Sequence, residues 1–523
     1  MVTPSLAGGR HAFDYVIVGG GSAGCALAAR LAEDADLTVA LLEAGGPQRR
    51  ILEVPLIGLW AWLRWPSRYC WQDWTVPQPA LDNRRLFWPA GMCVGGSSSI
   101  NAMVYNRGHR GSYDRWAGVA GPAWTYDALV PYFRRAEDRE RGASPWHGVG
   151  GPIGVAESRY RSDLAHAFVA GCLEAGLPAT DDFSVQPEGA GLSQLTQRAG
   201  RRSSATAYLD RTPGGPRVAV LTHARVTRLT FDGERVTGVE YTAGRSLVRI
   251  GARREVILCA GVVRTPQLLM LSGIGPADSL RRLGIDVVAD SPSVGANLQD
   301  HVRVPVLRAF SGPNPASPLR LMLAGVEYAL ARRGLLTSSV CDAAAVLRLD
   351  ADAGVPQVRI IPHWRATSDQ RRTVVDFEVA LVDPQSRGRL SLITRDPSAA
   401  MAIDPAYLSA PMDGAILTRG IELARTIAET PSCRSAGVGP EILPGSRDVW
   451  AHLRAHSATA YHVVGTCRLG SDTGAVVDPE LRVGGVLGLR VADASVMPTT
   501  VTGHAQAAVI AIGERAADLI KRR

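Results

Sequence analysis

The chain has 523 residues, of which 46% are hydrophobic and 20% charged, enough apolar material for a large core and too little charge for a disordered chain. Its formal net charge of +8 is 57 basic against 49 acidic residues, and nearly all the positive charge is arginine, because Lys521 is the sole lysine. The arginines come as scattered doublets such as Arg49-Arg50, Arg134-Arg135 and Arg253-Arg254, with acids beside several of them, which argues against a basic block built for nucleic acid or an anionic membrane.

The start of the chain passes through Pro4, Gly8, Gly9 and Arg10 into an apolar run at 13–18 with no signal-peptide h-region, and no ~18-residue apolar stretch follows, so neither secretion nor a membrane span is expected. Residues 13–45 read apolar run, glycine turn, helical pattern and second apolar run, a βαβ unit. Gly19, Gly21 and Gly24 form GxGxxG at its turn, and Glu43 follows at the end of the second strand, the context a dinucleotide fingerprint requires. Gly19 permits the turn, Gly21 admits a pyrophosphate, Gly24 permits close helix packing, and the N–H groups of Ser22 and Ala23 face the anion at the helix start. Glu43, with Ala44 beside it, is expected to accept hydrogen bonds from the adenosine ribose.

Trp60, Trp62, Trp65, Trp71 and Trp74 then lie among prolines at a spacing that fits neither helix nor strand, and predict an ordered lid or extended connection over about 55–88. Residues 159–210 read as helix and loop, 218–244 as strands around a turn at Asp232-Gly233, and 255–261 as a strand buried on both faces. Beyond His301 the alternation of 355–364 and 374–382 and the helical pattern of 416–429 predict a second, α+β unit; a strand at 488–495 and a helix from about 505 return to the first style. His452 and His456, four apart, lack a third ligand and read as surface histidines, and no metal is expected. Eight dispersed cysteines without a CxxC pair read as a reduced, cytoplasmic protein, with Cys259 and Cys467 as packing residues.

Three segments carry a resemblance. Residues 88–108 (WPAGMCVGGSSSINAMVYNRG) and 260–276 (AGVVRTPQLLMLSGIGP) resemble the two signatures of the glucose-methanol-choline (GMC) flavin oxidoreductases, and 491–499 (VADASVMPT) followed by a C-terminal helix completes the pattern. The resemblance implies a Rossmann-like FAD-binding domain of GMC type, with an interleaved α+β substrate domain built on a mostly antiparallel sheet. It divides the chain into FAD-binding parts at 1–158, 216–308 and 461–523 and substrate-facing parts at 159–215 and 309–460. FAD contacts are then expected from Gly91, Gly95, Gly96, Ser97, Ser98, Asn101, Ala102, Val226, Ala260, Asp493, Ala494, Ala505 and Gln506, with the hydroxyls of the Gly95 to Ser99 turn among the donors. Ile100 stands where some members carry the histidine that attaches FAD covalently, so non-covalent FAD is expected.

The same resemblance makes His462 and His504 the catalytic pair, His462 removing the hydroxyl proton of an alcohol whose hydride passes to flavin N5 and His504 orienting the alkoxide, with the two roles interchangeable. The helix opening after His504 would set its N-terminal N–H groups against the flavin edge that gains charge. A small-molecule alcohol such as a primary alcohol of a sugar, an amino-alcohol or a secondary-metabolite intermediate is the implied substrate, and O2 or a quinone or protein carrier the electron acceptor. A lyase or photodecarboxylase on the same fold and a silent flavin-binding module are the alternatives, the last predicting that the two histidines are replaced.

Overall fold

The computed structural model describes residues 12–64, 66–210, 218–312, 314, 317–366 and 373–522; the chain start read above at Pro4, Gly8, Gly9 and Arg10, and Trp65, lie outside these. Two large sheets organise them. In the first, the strands Val218–Thr222, Val39–Glu43, Ala12–Val18 and Ser246–Leu258 run parallel in that order, Leu489–Val491 pairs parallel with the far side of Ser246–Leu258, and the antiparallel strands Arg235–Ala243 and Ala224–Asp232 complete seven. The turn at Asp232-Gly233 joins the last two as expected. Val16, Ile17, Val39, Leu41, Val256 and Ile257 are fully buried, as strands covered on both faces require.

Helix Ser22–Leu31 leaves the first strand and lies against the C-terminal helix Ala505–Lys521. The two backbones approach so closely that a Cβ at Gly513 would sit 2.6 Å from the carbonyl oxygen of Ala23. The fully buried Glu514 fastens the crossing, accepting from Arg30 Nε at 2.9 Å and Tyr208 Oη at 2.6 Å and from Arg135 Nε.

The second sheet has eight strands, and every pair in it is antiparallel. Its central strands Val358–Ala366 and Thr373–Leu381 are flanked by Ala343–Leu347 and Gly189–Leu192 on one side and by Val302–Val304, Leu307–Phe310 and Val438–Leu443 on the other. Gly189–Leu192 lies in a stretch expected to hold only helix and loop; its small residues, GAGL, give no strand pattern, and it is extended because it pairs with Ala343–Leu347. Helices Asp163–Glu174 and Pro411–Ala428 cover one face of this sheet. A Cβ at Gly420 would press within 2.6 Å of Val379, which is how near the longer helix lies.

The tryptophan segment is more regular than its spacing predicts. Pro55–Arg64 is a helix, and Cys70–Trp74 is a strand paired with Phe87–Gly91. Leu56, Ile57 and Trp60 pack with Ala324, Tyr328, Leu335 and Leu336, and because the helix sequence PLIGLWAWLR has no polar residue before its last, no one-sided pattern marks it. His452 also corrects its expectation: it is buried, and its Nε2 donates to the carbonyl of Pro305 at 2.8 Å. Cys259 and Cys467 are buried, and all eight cysteines are free thiols. Among the described residues no group of histidine, cysteine and acidic side chains is arranged to hold a metal, and no helix is long and apolar enough to cross a membrane.

Candidate active site

One cavity of about 860 Å3 runs from the glycine turn of the first sheet to the uncovered face of the second. Its walls bring together Gly19, Gly21, Ser22, Ala23, Glu43 and Ala44 from the first βαβ unit, Gly91, Gly96, Ser97, Ser98, Asn101 and Ala102 from the first signature, Val226, Ala260, Asp493 and Ala494, and finally His462, His504, Ala505 and Gln506. Gly24 and Gly95 lie behind this surface. Trp60 and Trp71 line it too, and the Trp71 ring lies under the guanidinium of Arg264 at 4.3 Å.

The glycines divide by what a side chain would meet. At Gly24 a Cβ would sit 1.9 Å from the carbonyl oxygen of Gly19, and at Gly19, whose φ is +106°, 2.3 Å from that of Cys259. At Gly21 it would meet nothing within 4 Å. The first two therefore set how closely helix, turn and neighbouring strand approach, whereas Gly21 opens onto the cavity where helix Ser22–Leu31 begins without a side-chain cap. Glu43 is held by the N–H groups of Gly20 (2.9 Å) and Gly45 (2.8 Å), and burial, which these two bonds only partly offset, pushes its carboxyl up to about 7.

The first signature forms a turn in which Ser98 donates to the carbonyl of Gly95 and accepts from Ala205 N–H, so its hydroxyl is spent inside the protein and not offered to the cavity; Ser97 accepts from Gly91 N–H at 3.0 Å. Asn101 accepts from Arg202 at 2.8 Å and donates to Gln506, whose own Nε2 is buried without a partner among the described residues. Arg202 also donates to the carbonyls of Leu52 and Pro55, tying the start of helix Pro55–Arg64 to this turn. Asp493 accepts from Gly261 N–H at 2.8 Å and from Thr265 and Ser495, which joins the second signature helix, Gly261–Leu271, to the third segment.

The imidazoles of His462 and His504 stand edge to face with centroids 4.8 Å apart. His504 precedes the C-terminal helix, and its N–H donates to Asn106 Oδ1 at 2.7 Å. His462 sits in a loop whose backbone N–H donates to Asp300 Oδ1 at 2.9 Å, while Tyr407 donates to the other oxygen and Trp88 Nε1 to Tyr407 at 3.0 Å. Behind His462 lies His301, fully buried, with the two Nδ1 atoms 3.0 Å apart. Burial holds all three imidazoles below their ordinary range, His301 at about 3, and the positive field of Arg359 adds to the effect at each. They are neutral bases at physiological pH. Asp300, His301 and Tyr407 carry no spacing or motif that a reading of the sequence could use, and Asn106, although inside the 88–108 signature, is not singled out by it; the fold brings all four to the two histidines.

Residues 13–303 and 384–513 match the family models for the N- and C-terminal regions of GMC oxidoreductases. An uncharacterized GMC-type oxidoreductase of Mycobacterium tuberculosis is 41% identical over 97% of this chain and 99% of its own length. An oxygen-dependent choline dehydrogenase of Ectopseudomonas mendocina is 37% identical over 98% and 94%. The crystal structure of pyridoxine 4-oxidase from Mesorbium loti superposes with a TM-score of 0.89 at 32% identity, over 98% of this chain and 99% of that one.

The cavity suits FAD by its own chemistry. It offers an open glycine at an uncapped helix start for a pyrophosphate, an acidic acceptor for ribose hydroxyls, apolar walls, and in Gln506 Nε2 a buried donor with no partner among the described residues, as a flavin's polar edge would need. The chain belongs to the GMC oxidoreductases, FAD-dependent enzymes that act on CH–OH donors.

Proposed function

We propose that the protein oxidises an alcohol to its aldehyde or ketone, with His462 as the base that receives the hydroxyl proton. The supporting observation is the pair of neutral imidazoles, His462 and His504, in the wall of the same cavity as the Gly21 and Glu43 cradle. FAD, held non-covalently by the residues from Gly19 to Glu43, the Gly91 to Ala102 turn, Val226, Ala260, Asp493, Ala494 and Gln506, supplies the two-electron acceptor when bound. Ile100, in the cavity wall, has no atom that bonds a flavin, in keeping with non-covalent attachment.

The contact between His301 and His462 sets the proton inventory. Two neutral imidazoles joined through their Nδ1 atoms share one proton there, and the tautomer in which His462 donates leaves its Nε2 with the lone pair a base needs. His301 then accepts that bond before and after His462 takes up the substrate proton, and so acts as a positioning residue. His504 donates to or orients the substrate oxygen as its proton leaves.

The segments that supply the first sheet form the FAD-binding unit and those that supply the second form the substrate-facing unit. The division near 308 moves toward 301 on this reading, because Val302–Val304 and Leu307–Phe310 pair in the second sheet. The test is anaerobic: a panel of alcohols added to purified holoenzyme should bleach the flavin, with the carbonyl product identified in the same sample. A flavin that no alcohol bleaches, in an enzyme that cleaves a cyanohydrin or decarboxylates a fatty acid, would overturn this reading.

A further inference from the structure

The uncovered face of the second sheet carries a charge that the reaction above leaves unexplained. Along the first part of Val358–Ala366 side chains alternate: Val358 and Ile360, fully buried, belong to the helix-covered face, while Arg359, Ile361 and His363 line the cavity, joined toward the strand's end by both Trp364 and Arg365. On the neighbouring strand Glu378, opposite Ile361, lines it as well.

Each of the other charges there has a partner. Arg303 Nη1 lies 2.6 Å from Glu378 Oε2, and Arg365 Nη1 lies 2.9 Å from Asp376 Oδ2, an acid also 3.6 Å from His363 Nε2. Arg359 is the exception: it is 2% exposed, and its Nε and Nη1 have no hydrogen-bond partner among the described residues. Glu378 lowers the cost of burying it through space but spends its bond on Arg303. A guanidinium stays charged in a protein, and burying one with its donors unmet is strongly unfavourable unless an anion arrives to meet them.

We propose that the cavity takes an alcohol that also carries a carboxylate, and that Arg359 receives that carboxylate. The inference rests on the reading of His462 and His504 as the groups that act on the alcohol. Arg359 is near enough for its field to act on both of them and on His301, so an anion seated on it lies in the same part of the cavity as the pair. The planar guanidinium donates to a carboxylate in pairs, which would fix the orientation of the adjoining CH–OH group. An amino-alcohol would instead bring a cation toward unpaired donors, which disfavours that class.

The experiment compares matched ligands on wild-type holoenzyme: glycolate with glycolamide, and 4-(hydroxymethyl)benzoate with 4-(hydroxymethyl)benzamide, each followed by anaerobic flavin reduction. Benzoate and benzamide, which cannot react, are titrated alongside by calorimetry. The carboxylates should win in kcat/KM, and benzoate in affinity, by about 100-fold. In Arg359→Gln both ratios should collapse toward one, with Arg359→Lys between. Amides reduced as fast as their carboxylates would overturn the anion site while leaving the oxidation reading intact. Benzoate binding that depends on Arg359, in an enzyme whose flavin no alcohol reduces, would keep the anion site and remove the oxidation. Unchanged benzoate affinity in Arg359→Gln would overturn the proposal, and if that variant fails to retain flavin, the wild-type comparison decides alone.

Discussion

His462 is useful as a base only while it is neutral, and burial together with His504, His301 and Arg359 keeps it so well below the ordinary histidine range. The acidic limb of kcat/KM should therefore fall below pH ~6.5, as activity is lost only when pH drops through the depressed value; a steady-state profile from pH 5 to 9 checks this. His462→Ala should slow anaerobic flavin reduction by about 100-fold or more, read by stopped flow.

His301 adds a stability effect. Its unfolded form takes up a proton near pH ~6.5 but its folded form only near 3, so between those values the unfolded state binds more protons and stability falls as pH falls. The stabilisation is complete above ~6.5, and the slope reaches about 1.4 kcal/mol per pH unit. His301→Gln should therefore lose less stability than wild type on acidification from pH 7 to 5, measured by urea unfolding. At this scale His462 and His504 were legible because the family resemblance implies a catalytic histidine at each position. His301 and Arg359 were not: one meets its partner across 161 residues, and the other is an arginine among 57 basic residues on a strand that only pairing orients.

At the scale of elements, two glycines three residues apart do different work, and a methyl group separates them. Gly24→Ala places a carbon against the carbonyl of Gly19 and should destabilise the apoprotein by about 1–3 kcal/mol. Gly21→Ala adds its methyl to open space and should leave the apoprotein melting temperature near wild type while weakening FAD about 10-fold or more, by occupying the approach a pyrophosphate uses. Thermal unfolding of the two apoproteins with an FAD titration distinguishes them. The strand, turn and helix around these glycines could be read from the sequence because their hydrophobic periods are local. The helix Pro55–Arg64 and the strand Gly189–Leu192 could not, since the sequence of the first, PLIGLWAWLR, has no polar residue before its last and so no amphipathic period, and the second is made extended by pairing with a strand some 150 residues away.

For the whole molecule, the separation into a mostly parallel and an antiparallel sheet was visible as a change of pattern along the chain, whereas the meeting of both at one cavity was not, because nothing local encodes which faces stay uncovered. Non-covalent FAD predicts that acid precipitation releases all the flavin into the supernatant. It also predicts that FAD at 100 times its Kd stabilises the apoprotein by about 2.7 kcal/mol, read as a rise in melting temperature.

The cavity draws its walls from Val18 at one end of the chain and Val509 at the other, with the C-terminal helix locked in place by Glu514. Roughly 460 residues separate Glu43 from His504, about 25–90 s of translation at ~5–20 residues per second. During that interval the nascent chain can form its glycine turn but not the wall that closes over it. A cofactor that needs both walls therefore has a complete site only after His504 and the helix behind it have been made, and until then the walls already formed present an apolar cleft.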